Sequence, residues 1–303
     1  MKTIKEEKKY SLERKRELGS YPPNESDSGP ILLVSGGIHG NEPSGVQAIK
    51  EVLLELEQKK PDFNGTLVGI IGNLKALNKG VRFLDSDLNR LFTDTSGNME
   101  ISEEKERNEL HRFVEKLEKQ LSGKGSLYFL DLHTTSSSSV PYASVNKQKI
   151  STDFASCLSL PVVMGIEKYI PGHFDHFLTE RGHIGCTVEG GQHSDPEAVT
   201  LHKRAIYRAM KSCNMTDEIL KEPENTSQTS EFYEVVYRMG LEEGDKFEMK
   251  PGFKNFTPVA KGDLLAHYKD KPVYSPLTGR LFLPLYQNSG KDGFFVIQKV
   301  RTT

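Results

Sequence analysis

Gly36-Gly37-Ile38-His39-Gly40-Asn41-Glu42-Pro43 follows the apolar run Ile31-Leu32-Leu33-Val34 and precedes a segment with helical periodicity. An uncharged run of that kind, ended by Ser-Gly-Gly, reads as a buried parallel strand entering a loop. His39 and Glu42 stand three apart on that loop. An imidazole nitrogen and a carboxylate oxygen are two of the three protein donors a catalytic zinc uses, and the third can come from far along the chain. Gly36, Gly37 and Gly40 allow a tight turn and leave room beside an ion. Alone, His-x-x-Glu is a common chance pairing. Its place at a strand end, with matching chemistry at three later strand ends, is what gives it weight.

From Ser44 the period becomes helical, with Val46, Ile49, Val52, Leu53 and Leu56 on one face until Pro61. Leu67–Gly72 is a second buried strand, so strand, helix and strand form a βαβ unit of a parallel sheet. A polar loop from Asn73 to Phe92 carries Val81-Arg82-Phe83-Leu84-Asp85-Ser86-Asp87-Leu88-Asn89-Arg90. Ser102 reads as the cap of a helix over 103–121, with Glu103 and Glu104 suited to its positive end. Leu127–Leu132 is a strand delivering His133, a helical piece is expected near 153–159, and Val162–Ile166 is a short strand. Ile184–Val188 delivers Glu189-Gly190-Gly191, and Asp195-Pro196-Glu197 should start a helix running to Ser212. Residues 1–19 are charged and read as a surface helix or a loose segment; residues 22–30 and 221–230 read as turn-rich and linker sequence. Beyond the linker, short β-rich runs (232–237, 264–268, 280–285, 294–300) alternate with Gly and Pro turns, which is the pattern of a small all-β domain. The expected fold is therefore α/β: a mixed, mostly parallel sheet flanked by helices over residues 1–222, then a small β-rich C-terminal domain over 223–303.

Bulk properties exclude several classes. The 303 residues are 36% apolar and 27% charged, as in a globular chain, and 40 basic against 42 acidic side chains leave a net charge of -2. That balance gives no general attraction to nucleic acid or to membranes. The N-terminal residues lack the apolar core of a signal peptide and no run approaches a membrane span, so a cytoplasmic location is expected. Cys157, Cys186 and Cys213 are too few and too scattered for a disulfide framework or a thiolate metal site.

In open α/β sheets, sites form beyond the carboxyl ends of the strands. His39, Glu42, the Arg82–Arg90 loop, His133 and Glu189 all fall there. His39, Glu42 and His133 make a His₂Glu set that leaves a fourth zinc position for water. Glu189 is the candidate general base that takes a proton from water and passes it to a leaving amine; otherwise it is a structural carboxylate bound by the amides of Gly190 and Gly191. Asp131, two residues before His133, and Asp87 in the polar loop are each placed to orient a ligand histidine. Arg82, Asn89 and Arg90 are substrate candidates, since a guanidinium clamps a carboxylate and a second can stabilise an oxyanion. His173, His176, His183, His193 and Arg181 cluster near Glu189 in sequence, without a pattern that assigns them.

Gly36–Glu42, Asp87-Leu88-Asn89-Arg90, Asp131-Leu132-His133-Thr134-Thr135 and Val188-Glu189-Gly190-Gly191 together resemble the succinylglutamate desuccinylase/aspartoacylase family, the deacylase branch of the zinc carboxypeptidase fold. The resemblance covers residues about 30–210. It implies one zinc per chain on His39, Glu42 and His133, and Glu189 as general base and acid. It further implies Arg82 on the scissile carbonyl, Asn89 and Arg90 on a substrate carboxylate, and Asp87 behind His39. The implied reaction is hydrolysis of an N-acyl amino acid, a small-molecule partner, in a chain compatible with a homo-oligomer. One departure stands out: aspartoacylases carry a further substrate arginine ahead of the catalytic glutamate, whereas residues 174–181 contain only Arg181, closer to Glu189 than that pattern places it. A metallocarboxypeptidase acting on peptides, or a non-catalytic zinc-binding scaffold, would use the same residues.

Overall fold

The computed structural model describes residues 15–23, 29–93, 100–121, 127–217, 230–242, 244–286 and 291–300. The expectations for residues 1–14, 24–28 and 218–229, including the 222/223 boundary, lie outside the described residues.

In chain order the elements are β1 (Glu17–Tyr21), β2 (Ile31–Gly36), α1 (Ser44–Lys59), β3 (Thr66–Ile71), α2 (Leu74–Lys79), α3 (Ser102–Leu121) and β4 (Tyr128–Thr135). There follow β5 (Tyr142–Val145), α4 (Lys149–Ser156), β6 (Val162–Met164), α5 (Phe174–Glu180), β7 (Ile184–Gln192) and α6 (Ala198–Ser212). The C-terminal part holds β8 (Phe232–Gly240), β9 (Phe247–Met249), β10 (Pro258–Val259), β11 (Leu264–Tyr268), β12 (Lys271–Tyr274), β13 (Gly279–Phe282) and β14 (Asp292–Lys299). The main sheet runs β1-β3-β2-β4-β7-β5-β6-β8-β14-β13-β10, and a small second sheet runs β12-β11-β9. β3, β2, β4 and β7 are parallel to one another, while β1 and β5 run against β3 and β7. The fold is the mixed α/β sheet expected, mostly parallel from β1 to β6, with additional antiparallel β strands at the C-terminus.

Every residue of β2 and of β3 is buried, as expected where helices cover both faces. Period-two alternation sorts β2 between two cores. Leu32 and Val34 pack with Leu132, with Ala48, Ile49 and Val52 of α1, and with Ala205, Ile206 and Met210 of α6. Ile31 and Leu33 face the other way, onto Leu110, Val114 and Leu117 of α3 and Phe174 and Leu178 of α5. The result is three layers with the sheet in the middle.

Several local expectations shift. Residues 17–21 add an antiparallel edge strand to β3, Glu17↔Ile70 through Tyr21↔Leu67, so this end of the charged segment is strand rather than helix. His133 and Glu189 lie inside β4 and β7 rather than after them, because the ladder between these strands continues past both. α6 starts at Ala198; Asp195 closes the preceding turn by accepting the Glu197 N–H at 2.9 Å. The C-terminal strands do not form a sheet of their own alone. β8 pairs parallel to β6, Val162↔Phe232 to Met164↔Glu234, so β8, β14, β13 and β10 extend the main sheet. No described helix is long and apolar enough to cross a membrane.

Leu33, fully buried on the α3 side, sets a test of this layering. Leu33→Ala should cost about 2–5 kcal/mol in a denaturant titration, whereas Leu54→Ala, on the exposed face of α1, should change stability by less than about 0.5 kcal/mol.

Candidate metal centre and active site

β2 hands the chain to the 37–43 loop, which is pinned from the neighbouring connection. Gly72 and Asn73 donate their N–H groups to Gly36 O (2.9 Å) and Gly37 O (2.8 Å), and Gly40 N–H donates to Arg82 O (3.1 Å). Glycine is required at position 40, since a Cβ there would come within 2.1 Å of the Ala76 carbonyl carbon. So fixed, the loop turns His39 and Glu42 toward β4.

The donor atoms of His39, Glu42 and His133 lie within 4.8 Å of one another, and all three residues are buried. His39 Nδ1 is 2.8 Å from Glu42 Oε1, and His133 Nδ1 is 3.1 Å from Glu42 Oε2. The other ring nitrogens face carboxylates too: His39 Nε2 is 3.2 Å from Asp87 Oδ1 and His133 Nε2 is 3.0 Å from Asp131 Oδ2. A carboxylate only accepts hydrogen bonds. If Nε2–H donates to the aspartate in each ring, both Nδ1 lone pairs point at the lone pairs of Glu42. Either protons or a cation must stand between them. Burial opposes a charge on His133, yet Asp131 and Glu42 hold it well above its ordinary value. Burial likewise opposes the charge on Glu42, yet the two histidines hold it well below the carboxylate range. Nitrogen and oxygen donors converging at this spacing, each ring backed by an aspartate, fit a divalent cation such as zinc.

Glu42 Oε2 also accepts the Thr134 N–H at 2.9 Å, tying the loop to β4. Asp131 is held in turn by Ser35 Oγ at 2.6 Å. Asp87 accepts from Arg82 Nη2 at 3.0 Å and from Asn89 N–H at 3.0 Å; burial opposes its charge, but His39, Arg90 and Arg82 keep it well below the usual carboxylate value.

Glu189 pairs in register with His133 on one side and Tyr142 on the other. Its Oε2 is buried with no hydrogen-bond partner among the described residues. Burial pushes the carboxyl up to about 7, against the pull of His133 and with the help of Glu42; a cation held by the adjacent donors would lower it. Tyr142 is buried against Phe256 and Phe282, which brings the C-terminal strands to the edge of the site.

Arg82 Nη1 lies 3.8 Å from Glu42 Oε1, with its side chain 38% exposed. Asn89 is buried and its Oδ1 accepts the Phe174 N–H at 2.9 Å, so the amide NH₂ is the end left for a ligand. Arg90 is exposed, its Nη1 donating to Asn89 O at 2.8 Å. Arg181 and His183 turn to Glu118 of α3 at 2.8 Å (Nε to Oε1 and Nε2 to Oε1) and take no part in the cluster. His176 faces Glu180 at 3.4 Å.

Two residues went unassigned in the sequence. His193 Nδ1 is 2.8 Å from Thr134 Oγ1. His202 of α6, fully buried, donates from Nε2 to the His133 carbonyl at 2.9 Å, and a Cβ at Gly190 would meet that ring at 2.4 Å. A histidine among Ala198, Ala205 and Ala209 on a helix's buried face was the one available sign of it.

The profile of the succinylglutamate desuccinylase/aspartoacylase catalytic domain matches residues 28–213. The chain belongs to the succinylglutamate desuccinylase/aspartoacylase family. Within that family it is 30% identical over 256 residues to a succinylglutamate desuccinylase of Photorhabdus laumondii, covering 79% of this chain and 76% of that one. It is 25% identical over 244 residues to one of Yersinia pestis, covering 77% and 73%. A succinylglutamate desuccinylase of Vibrio parahaemolyticus shares the fold with a TM-score of 0.73 at 19% identity, over 94% of this chain and 87% of that one. The product-bound ectoine utilization protein EutE (DoeB) of Ruegeria pomeroyi does so with a TM-score of 0.67 at 22% identity, over 90% and 85%.

Asp175 is a further buried acid. Asp175 Oδ2 accepts from Thr187 Oγ1 at 2.9 Å, while burial and then Asp131 push its carboxyl up to about 6. The folded protein thus holds a proton that the unfolded chain, with the ordinary value of 3.8, releases earlier. Stability should fall as pH rises from about 4 through 6, by at most about 3 kcal/mol, and then level off. Asp175→Asn keeps an acceptor for Thr187 and should remove that slope, raising the denaturation midpoint at pH 7.5.

Proposed function

We propose that this chain is a zinc-dependent hydrolase of the amide bond in an N-acyl amino acid. The observation that carries the reading is the buried His39–Glu42–His133 donor set, with the unpartnered Glu189 oxygen beside it. Relatives named as succinylglutamate desuccinylases support the substrate class. Held by His39, Glu42 and His133, one zinc would supply Lewis-acid activation of water and of the acyl carbonyl. Asp87 and Asp131 take the Nε2–H of each histidine, which fixes the tautomer and aims Nδ1 inward.

Asn89 and Arg90 bind the substrate carboxylate, the amide NH₂ and the guanidinium supplying donors to its two oxygens. Glu189 accepts a proton from the attacking water as its oxygen bonds to the acyl carbon, and hands that proton to the amide nitrogen as the C–N bond breaks. Arg82 donates to the carbonyl oxygen as negative charge develops there. The products are a carboxylic acid and a free amino acid. Residues 1–222 provide this chemistry in the proposal, and residues 223–303 form a β-rich unit that backs Tyr142.

Amine release from N-acetylaspartate, N-succinylglutamate, N-acetyl amino acids with neutral side chains and short peptides, with and without a chelator, tests the reading. Chelator-sensitive cleavage of an N-acyl amino acid is expected; cleavage of peptides alone would make the chain a metallocarboxypeptidase. Glu189→Gln should retain zinc by elemental analysis while kcat falls about 10²–10⁴-fold. Loss of zinc in that variant would instead make Glu189 a ligand or a structural group. Arg90→Ala should raise KM for acidic substrates more than for uncharged ones, and an equal loss on both would remove the clamp role.

A further inference from the structure

One buried acid near the site has no part in the chemistry above. Glu103, the second residue of α3, is fully buried. Its Oε1 accepts the Leu84 N–H at 2.7 Å and Asn73 Nδ2 at 3.1 Å; its Oε2 accepts the N–H groups of Asp85 at 3.1 Å and Ser86 at 3.3 Å. Three consecutive amides thus converge on one carboxylate in a stretch that is neither helix nor strand. Charge-assisted bonds of this kind are about twice as strong as neutral ones, and burial strengthens them further. The contact is reciprocal, since Asp85 Oδ2 accepts the Ser102 N–H at 2.8 Å. Helix end and loop cap each other.

The connections on either side lead to the site. The residue after Ser86 is Asp87, which backs His39, and Asn89 and Arg90 follow within one 3-10 turn, Leu88–Arg90. On the other side, Asn73 gives its backbone N–H to Gly37 O at 2.8 Å in the metal loop and accepts the Ala76 N–H at 3.0 Å. A single carboxylate therefore joins the loop carrying Arg82–Arg90 to the loop carrying His39 and Glu42.

We propose that Glu103 is a positioning residue for substrate binding: its carboxylate sets the Leu84–Ser86 turn and so fixes where Asn89 and Arg90 stand relative to the His39–Glu42–His133 set. An ordinary first-turn acid would interact with the helix dipole at the surface. Glu103 is instead spent on amides of another segment. Its kinetic consequence rests on the carboxylate-clamp reading of Asn89 and Arg90; its structural consequence does not.

Two measurements test it. Amide hydrogen exchange of the intact wild-type protein should show Leu84, Asp85 and Ser86 protected by at least about 100-fold over a free peptide. In Glu103→Gln, whose side-chain NH₂ opposes amide donors, protection across 84–90 should be lost while peptides from β2 and β4 keep theirs. Zinc-loaded Glu103→Gln should keep its zinc and show KM for the N-acyl amino acid raised about tenfold or more, with kcat within about threefold. Fast exchange of the 84–86 amides in the wild type overturns the proposal even if the variant does not fold. Unchanged protection in the variant, or a loss of kcat with KM constant, also overturns it. Exchange that follows Glu103 in a wild-type protein that cleaves no N-acyl amino acid would leave the positioning role standing and sink the functional reading.

Discussion

A carboxylate only 2% exposed, that of Glu42, holds the centre of this molecule together. Its two oxygens meet His39, His133 and the Thr134 amide, so it joins the loop after β2 to the adjacent strand β4. Burying an ionised carboxyl is costly unless charge and hydrogen bonds compensate it. Here both are concentrated on one side chain, and the compensation is complete only with a positive partner, either protons on the rings or a metal ion. The arrangement ties local stability and chemistry to the same few atoms.

The surroundings are built outward from that demand. Asp87 and Asp131 face the Nε2 of each ring while Nδ1 faces Glu42, and Ser35 and Arg82 hydrogen-bond the two aspartates in turn. Behind these, Gly40 gives way to the backbone of Ala76, and His202 fills the space that glycine leaves at position 190. Beside the centre, Glu189 presents a buried oxygen with no hydrogen-bond partner among the described residues. Such an oxygen carries an energetic cost, and that cost is characteristic of a group kept for reaction rather than for stability.

Much of this was legible in the amino-acid order because the signals were local. Ile31–Val34 announces a strand buried on both faces, and Val46, Ile49, Val52, Leu53 and Leu56 announce the helix that covers one of them. His39-x-x-Glu42 and the Asp131–His133 pair lie within single turns or strands, where spacing determines direction. What escaped was set by contacts across the chain. The ladder between β4 and β7 carries both strands beyond His133 and Glu189, and nothing in either segment marks that extension. Glu103 reads in sequence as one more acid at a helix start, because its amide partners are 17 to 19 residues away. Strands 232–240 and 292–299 look like a separate β unit until the pairing of β6 with β8 joins them to the main sheet.

The pairing of β2, β4 and β7 has a consequence for how the chain acquires its centre. Gly36 lies opposite Leu132 and His133 opposite Glu189, so the residues assemble only after three strands far apart in sequence have found one register. Such non-local parallel pairing is slow, since long loops must close before any contact rewards them. A slip of one residue in β4 would turn His133 to the opposite face. The convergence of the His39, Glu42 and His133 donors therefore waits on these pairings, and its appearance during refolding would time the locking of the central sheet.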